Sequence, residues 1–154
     1  MKKVSILLIM IFIISFFYYE VYISYNHIIE NNYTIENEKI NEDINIAIIS
    51  DLHDNQIGED NKKLIDKINL LSPDIILVVG DVVNKDSKNS EIIISLMKKL
   101  CKDYTVFYSL GNTDIDYIKN GTSDLINDLE NTGVVFLNNQ YKDIKIKGNT
   151  IRIG

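Results

Sequence analysis

The sequence is poor in cysteine, histidine and basic residues. Cys101 is the single cysteine, and one thiol excludes an intramolecular disulfide framework. It ends an apolar helical pattern, so we expect a buried or half-buried thiol rather than a nucleophile. Basic residues number 16 against 22 acidic ones, which gives a formal net charge of -6. No stretch forms a basic stripe, and the composition therefore argues against a nucleic-acid partner.

Apolar residues are plentiful, at 45% of the chain, which is typical of a folded rather than a disordered protein. The first concentration of them is an uncharged run from Val4 to Tyr19, with aromatic residues at and after its end. A helix of this length spans about 24 Å. That is slightly less than a hydrocarbon core, but Val21 to Tyr25 extend it. We therefore predict one transmembrane helix within residues 1–25.

The distribution of charge predicts the orientation of that helix. Lys2 and Lys3 precede it, whereas acidic residues far outnumber the single base Lys39 between Glu20 and Asp60. The positive-inside rule then places the N-terminus in the cytoplasm and the rest of the chain outside the cell membrane. A cleaved signal peptide is the alternative, but such peptides end in small residues and this run ends in bulky aromatics.

Residues 26–43 are polar and rich in Asn and Glu, which predicts a stalk in which His27 is solvated. Over residues 44–154, apolar runs alternate with helical patterns. Predicted strands cover Ile44–Ile49, Ile75–Val79, Tyr104–Leu110, Val134–Leu137, Tyr141–Ile146 and Thr150–Ile153. Predicted helices cover Asp60–Leu71, Ser90–Lys102 and Ser123–Asn131. This alternation is typical of an α/β domain with a largely parallel sheet.

Polar residues directly follow three of the predicted strands. Asp51 and His53 follow the first, Asp81 follows the second and Asn112 follows the third. Ligands of such sheets bind beyond the carboxyl ends of the strands, and the glycines before Asp81 and Asn112 allow close backbone approach. Carboxylate, imidazole and amide oxygen together suit Mn, Fe or Zn ions better than calcium. An acidic protein that carries such ions can bind a phosphate substrate.

In order and position, these D-x-H, G-D and G-N-x-D motifs resemble those of the calcineurin-like metallophosphoesterases. The anchor resembles that of the membrane-bound or exported bacterial branch. The resemblance covers about Ile44 to Asp114 and extends more loosely to Gly154. It implies the N-terminal half of the family's α/β sandwich, with mixed sheets flanked by helices. It also implies a metal-dependent hydrolase of phosphoester or phosphoanhydride bonds.

By the same resemblance, Asp51 and His53 hold the first of two divalent metal ions. Asp81 bridges both ions, Asn112 binds the second, and Asp114 assists catalysis from behind the ligands. A bridging carboxylate is reasonable because two dications about 3.5–4 Å apart need an anion between them. The anchor implies a site at the outer face of the membrane, with a phosphorylated small molecule or a lipid head group as substrate.

Two features depart from the family pattern. Thr113 stands where the family carries a histidine that assists the leaving group, and threonine has no group that titrates near neutral pH. After His53 the chain contains no histidine, although the family takes further metal ligands from its second half. We therefore expect the C-terminal half of the domain to be absent. The alternatives are a non-catalytic truncated remnant, or half of a split enzyme that binds metal weakly and pairs with a separately encoded C-terminal half.

Overall fold

The computed structural model describes residues 2–26, 28–121 and 124–154, so the predictions for His27 and for a helix start at Ser123 lie outside the described residues. The chain divides between Asn31 and Asn32 into two units. The first contains helix α1, Lys2–Asn26. Its segment Val4–Ile23 has a mean hydropathy of 2.3 and exposed side chains. This helix is long and apolar enough to cross a membrane, a property that it shares with signal sequences.

The second unit is built from short strands and helices that alternate along the chain. Strand β1, Ile46–Ile49, is followed by a 3-10 turn, Glu59–Asn61, and by α2, Lys62–Leu71. The remaining elements are, in chain order, β2 (Ile75–Val79), α3 (Glu91–Leu100), β3 (Val106–Ser109), α4 (Asn112–Lys119), α5 (Leu125–Glu130), β4 (Val135–Phe136), β5 (Lys142–Ile146) and β6 (Asn149–Ile153).

Strands β1 to β4 form one parallel sheet in the order β1-β2-β3-β4. Its register pairs Ile48 with Leu77 and Leu77 with Phe107. Strands β5 and β6 pair antiparallel as a separate hairpin. The turn residues Lys147 and Gly148 have φ angles of 47° and 73°, as a two-residue type I′ turn requires. The predicted α/β class, a parallel sheet flanked by helices, is confirmed.

The central strands of the parallel sheet and the inner faces of the helices form the core. The buried strand residues are Ile49, Ile75, Ile76, Val78, Val106, Phe107 and Tyr108. The buried apolar helix residues are Leu64, Ile68, Ile93, Leu96, Met97, Leu100, Tyr117, Leu125 and Leu129. Cys101, directly after α3, is half-buried as expected, and burial raises the pKa of its thiol.

The prediction of a buried first strand over Ile44–Ile49 is wrong in its extent and its burial. The strand begins at Ile46 and lies at the edge of the sheet. Ile46 and Ile48 are 43% and 66% exposed, and Val79 in the neighbouring strand is 47% exposed. Apolar composition did not predict this exposure, because burial depends on the position of a strand in the sheet as well as on its residues.

Two helices differ from the predictions. The predicted helix from Asp60 begins at Lys62, because Asp60 and Asn61 have φ angles of 51° and 61° and a left-handed residue cannot continue an α-helix. Helix α4, Asn112–Lys119, was not predicted. Asn112 therefore lies at the end of the loop that follows β3 and also in the first turn of helix α4.

The end of the predicted stalk, residues 26–43, contacts the turn of the β5–β6 hairpin. Asn149 is only 2% exposed, and its Oδ1 accepts a hydrogen bond from the Asn41 amide at 2.7 Å. Lys147, in the turn just before Asn149, places its Nζ 2.8 Å from Asp74 Oδ2. The hairpin turn thus fastens the segment before β1 to the start of β2.

Candidate metal centre

The loop after β1 lies beside the turn after β2. The Asp51 amide donates to the Gly80 carbonyl at 3.2 Å, and the His53 amide donates to the Asp81 carbonyl at 3.1 Å. Parallel pairing therefore continues beyond the ends of the two strands. It brings three of the four predicted ligands, Asp51, His53 and Asp81, to one edge of the sheet.

The backbone at this edge is held in a conformation that side chains disfavour. Asp51, His53, Asp54 and Asp81 have φ angles of 56°, 46°, 59° and 55°. Such left-handed residues cost of order 1–3 kcal/mol each when they are not glycine, and they are concentrated at functional sites. The strain is offset by the hydrogen bonds between the two loops, and it turns these side chains away from the direction that an ordinary strand exit would give them.

The Asp81 carboxylate is held by the first turn of α4. Asp81 Oδ1 accepts hydrogen bonds from the Thr113 amide at 2.9 Å and from the Thr113 hydroxyl at 3.0 Å. With its amide oriented to satisfy both neighbours, Asn112 donates from Nδ2 to Asp81 Oδ2 at 3.1 Å and accepts from the Thr113 amide at 3.2 Å. The hydrogen bond from the Thr113 backbone is the main cause that lowers the pKa of Asp81. The fourth predicted ligand, Asn112, is therefore in contact with the third.

Two glycines make this close approach possible. A Cβ at Gly80 would lie 2.2 Å from the Gly111 nitrogen, and a Cβ at Gly111 would lie 2.3 Å from Asp81 Oδ1. Gly80 also has a φ of +81°, which glycine adopts at little cost. No larger residue fits at either position without moving the loop that carries Asp81.

Asp114 is fully buried beneath the site. Its carboxylate accepts hydrogen bonds from backbone amides on both strand ends, at 3.0 Å from Asp81, 3.1 Å from Val82, 2.9 Å from Val83 and 2.9 Å from Gly111. Tyr108 lies against the same carboxylate; burial first, and then the charge of Asp114, raise the pKa of its phenol. Asp114 thus fixes the turn that presents Asp81.

Asp51 and His53 are the open side of the site. Their side chains are 68% and 41% exposed, and His53 Nε2 lies 3.9 Å from Asp51 Oδ1. That distance is too long for a hydrogen bond, so the Asp51 carboxylate does not bind the imidazole nitrogen. The Ser50 hydroxyl donates to Asp51 Oδ2.

The donor groups fit a divalent cation in chemistry, although their side chains do not converge on one point. In the described ranges, no three His, Cys, Asp or Glu side chains are grouped as they would be around a metal ion. Nor does any ion pair found in those ranges join a lysine or arginine to Asp51, Asp54 or Asp81. Several carboxylates without a cationic partner, beside one imidazole and one amide oxygen, match the ligand preferences of Mn, Fe or Zn.

Sequence reasoning assigned no role to Asp54 and Asn84. Asp54 Oδ2 accepts hydrogen bonds from the Asn84 amide at 2.9 Å and from the Ser87 hydroxyl. Asn84 Nδ2 donates to the His53 carbonyl at 2.7 Å. These residues are 30 positions apart, so only the pairing of β1 with β2 reveals the contact.

Comparison with known proteins agrees with this architecture. Residues 44–151 match the family described as calcineurin-like phosphoesterase. An uncharacterized metallophosphoesterase of Campylobacter jejuni is 31% identical over 112 residues, which cover 71% of this chain and 29% of the relative. The chain thus spans less than a third of the length of that relative. No solved structure matches the chain.

The match over residues 44–151 covers most of the 154 residues. The chain therefore belongs to the calcineurin-like phosphoesterase family.

Proposed function

We propose that this chain acts in the metal-dependent hydrolysis of phosphoester or phosphoanhydride bonds, with Asp51, His53, Asp81 and Asn112 as ligands of two divalent metal ions. The position of Asp81 carries the proposal. Its backbone carbonyl accepts a hydrogen bond from the His53 amide, and its carboxylate lies beside the Asn112 side chain. A carboxylate between the proposed ligands of the first ion and that of the second is suited to bridge two cations.

The chain's own residues each supply part of such a site. Bound dications stabilise charge on a phosphoryl group and lower the pKa of a water nucleophile. Hydrogen bonds from Thr113 favour the ionised form of Asp81, and the exposure of Asp51 and His53 leaves their polar atoms accessible. The Asn112 side-chain amide lies beside Asp81 Oδ2, where its oxygen would be available to a bound cation.

Thr113 limits the substrates that this site can hydrolyse. Its hydroxyl donates to Asp81, and it does not titrate near neutral pH, so it is a poor general acid. General acid assistance contributes about 10²–10⁴-fold in rate. We therefore propose a preference for substrates with good leaving groups.

The test is Mn²⁺-dependent hydrolysis of bis-p-nitrophenyl phosphate by the full chain in detergent micelles. Asp81→Asn keeps the size of the bridging residue and should remove all metal-stimulated turnover. Asp116→Asn is the matched control, because Asp116 is an exposed aspartate on α4 that pairs with Lys119, and it should leave turnover unchanged. Equal rates for wild type and Asp81→Asn would contradict the proposal.

We further propose that α1 anchors the chain in the cell membrane, with the N-terminus in the cytoplasm and the domain outside. The support is the exposed apolar segment Val4–Ile23 together with the lysines that precede it. A site anchored there favours a phosphorylated small molecule or a lipid head group at the outer face of the cell membrane as the substrate.

Thiol labelling in intact cells tests this topology. In a Cys101→Ser background, a membrane-impermeant maleimide should label Glu36→Cys and should not label Lys3→Cys. Labelling of the second variant would reverse the orientation. Loss of the N-terminal segment from the purified chain, measured by mass, would show a cleaved signal peptide instead.

A second candidate function is metal binding without turnover. Thr113, which stands where the family carries the assisting histidine, favours it. This function predicts that Mn²⁺ binds to the wild type and more weakly to Asp81→Asn, while neither protein hydrolyses the diester. Calorimetry and the hydrolysis assay on the same samples distinguish the two functions.

We also propose that full activity needs a second polypeptide corresponding to the part of the Campylobacter relative that this chain does not span. The exposed side chains of Ile46, Ile48 and Val79 form an apolar area on the sheet face away from the helical core, and burial against such a polypeptide would stabilise the complex. Co-expression with that part of the relative should raise hydrolysis, and Ile48→Glu should remove the increase. An increase that persists in Ile48→Glu would contradict this placement.

A further inference from the structure

We propose that Asp54 and Asn84 are positioning residues that hold His53 in the orientation in which it binds metal. The inference rests on the proposed function only in taking His53 as a ligand. It adds a pair of residues that do not touch substrate or metal themselves and act through the backbone of the loop after β1.

Asn84 donates two hydrogen bonds to the loop after β1. Its backbone amide donates to the Asp54 carboxylate at 2.9 Å, and its side chain donates to the His53 carbonyl at 2.7 Å. The Asp54 amide also donates to the Val82 carbonyl at 2.9 Å. Ser87 adds a hydroxyl donor to the same Asp54 oxygen. The peptide unit between His53 and Asp54 is therefore bonded at both its carbonyl and its amide.

These bonds act where the backbone most needs them. His53 and Asp54 have consecutive left-handed φ angles of 46° and 59°. This conformation is unfavourable for residues that carry a Cβ. The His53 side chain is 41% exposed, so packing alone does not fix it. Without the Asp54–Asn84 pair, the peptide can relax toward the extended region, and the imidazole would leave the edge of the sheet on which Asp81 lies.

The second carboxylate oxygen of Asp54, Oδ1, allows two explanations of the role of this residue. It is buried and accepts no hydrogen bond from the described residues. An oxygen of this kind either belongs to a carboxylate retained for the bonds made by its other oxygen, or faces a cation directly. The two cases differ in their response to asparagine, which keeps one acceptor oxygen for Asn84 and Ser87 but removes the charge.

The experiment uses the full chain in detergent micelles with Zn²⁺ as the probe. Three quantities are measured: hydrogen exchange at the His53 and Asp54 amides without metal, the imidazole resonances of His53, and the Zn²⁺ affinity by calorimetry. His27 is the other histidine of the chain, and His27→Gln assigns the His53 signals. The variants are Asp54→Ala, Asn84→Ala and the conservative Asp54→Asn. Asp60→Ala is the matched control, because Asp60 is also a left-handed aspartate bonded to a neighbouring element, through Ser95 and Lys99.

Asp54→Ala and Asn84→Ala should accelerate exchange at both amides by about tenfold or more. They should also broaden or split the His53 resonances and weaken Zn²⁺ binding by about 10–100-fold. Asp54→Asn should stay within about threefold of wild type in Zn²⁺ affinity, because it keeps the acceptor. Asp60→Ala should move none of the three readouts, even if it lowers the melting temperature.

Unchanged His53 resonances and Zn²⁺ affinity in both alanine variants would overturn the inference. So would an Asp54→Asn variant as damaged as Asp54→Ala, since the charge rather than the hydrogen-bond geometry would then be essential. Should Asp54→Ala not fold, Asn84→Ala removes only the bond to the His53 carbonyl and carries the test alone. If the wild type binds no Zn²⁺, the proposed function fails, but the exchange measurements without metal still decide whether the pair holds the loop.

Discussion

Thr113 donates two hydrogen bonds to the same oxygen of Asp81, from its amide at 2.9 Å and from its hydroxyl at 3.0 Å. The bonds join the end of β2 to the first turn of α4 and leave Asp81 Oδ2 beside Asn112. Thr113 therefore orients the Asp81 carboxylate and favours its ionised form. Under the proposed function, this favours cation binding, whereas the leaving group receives no help from an acid at this position.

Thr113→Val is expected to raise the pKa of Asp81 toward its ordinary value. The backbone bond, which is the largest cause of the lowered pKa, is kept, and the hydroxyl bond is lost. A carboxyl ¹³C titration of the metal-free chain measures the change. Thr113→Ser keeps the hydroxyl and should titrate as the wild type does; a shift as large as that of Thr113→Val would contradict the role of the hydroxyl.

Gly80→Ala is expected to destabilise the domain by at least about 2 kcal/mol more than Gly148→Ala. Both glycines have a positive φ, +81° and +73°, so both alanines carry the same backbone penalty. A Cβ at Gly80 also meets Gly111 at 2.2 Å, whereas a Cβ at Gly148 meets nothing within 4 Å. Urea denaturation of the two variants isolates the cost of the close approach, and equal losses of stability would show that the strand ends can move apart.

The fold class and the placement of polar residues after the strands were predictable because both depend on local patterns. Short apolar runs mark β2 and β3, and Asp81 and Asn112 come directly after them. The burial of β1 was not predictable, since the exposure of Ile48 depends on the order of strands in the sheet. Helix α4 was missed because its first turn, which begins at Asn112, is polar and matches a loop motif.

The contacts that shape the site were beyond sequence reasoning for a different reason. Thr113 and Asp81 are 32 positions apart, and Asp54 and Asn84 are 30 positions apart. Each pair meets only after parallel strands have aligned in register. Histidine adopts left-handed φ angles more often than most residues but still uncommonly, so the left-handed backbone of His53 could not be predicted from its residue type.

Asp114→Ala is expected to lower the free energy of unfolding by about 3 kcal/mol or more. The substitution leaves backbone amides on both strand ends without an acceptor, and each buried unsatisfied donor costs about 1–3 kcal/mol. Asp116→Ala, two residues along the same helix and exposed, should change stability by less than about 0.5 kcal/mol. Similar values for the two variants in urea denaturation would mean that water replaces the lost acceptor.

The pairing of Asp74 with Lys147 predicts how the stability of the domain depends on pH. The hydrogen bond from Lys147 is the main cause that lowers the pKa of Asp74, and the Asn45 amide adds to it. Because the folded pKa is lowered, the stabilisation is fully present above the unfolded pKa of about 3.9. It is lost as the pH falls through the folded pKa.

Asp74→Asn should therefore cost about 0.2–1 kcal/mol at pH 7, the range of partly exposed ion pairs. The difference from wild type should stay constant down to about pH 5 and shrink at lower pH. Denaturation curves at a series of pH values measure it. In a Lys147→Met background, most of the acid-dependent difference should disappear, because the main cause of the lowered pKa is absent. A difference that keeps its size in that background would assign the pH dependence to the Asn45 amide rather than to the bond between the hairpin turn and the start of β2.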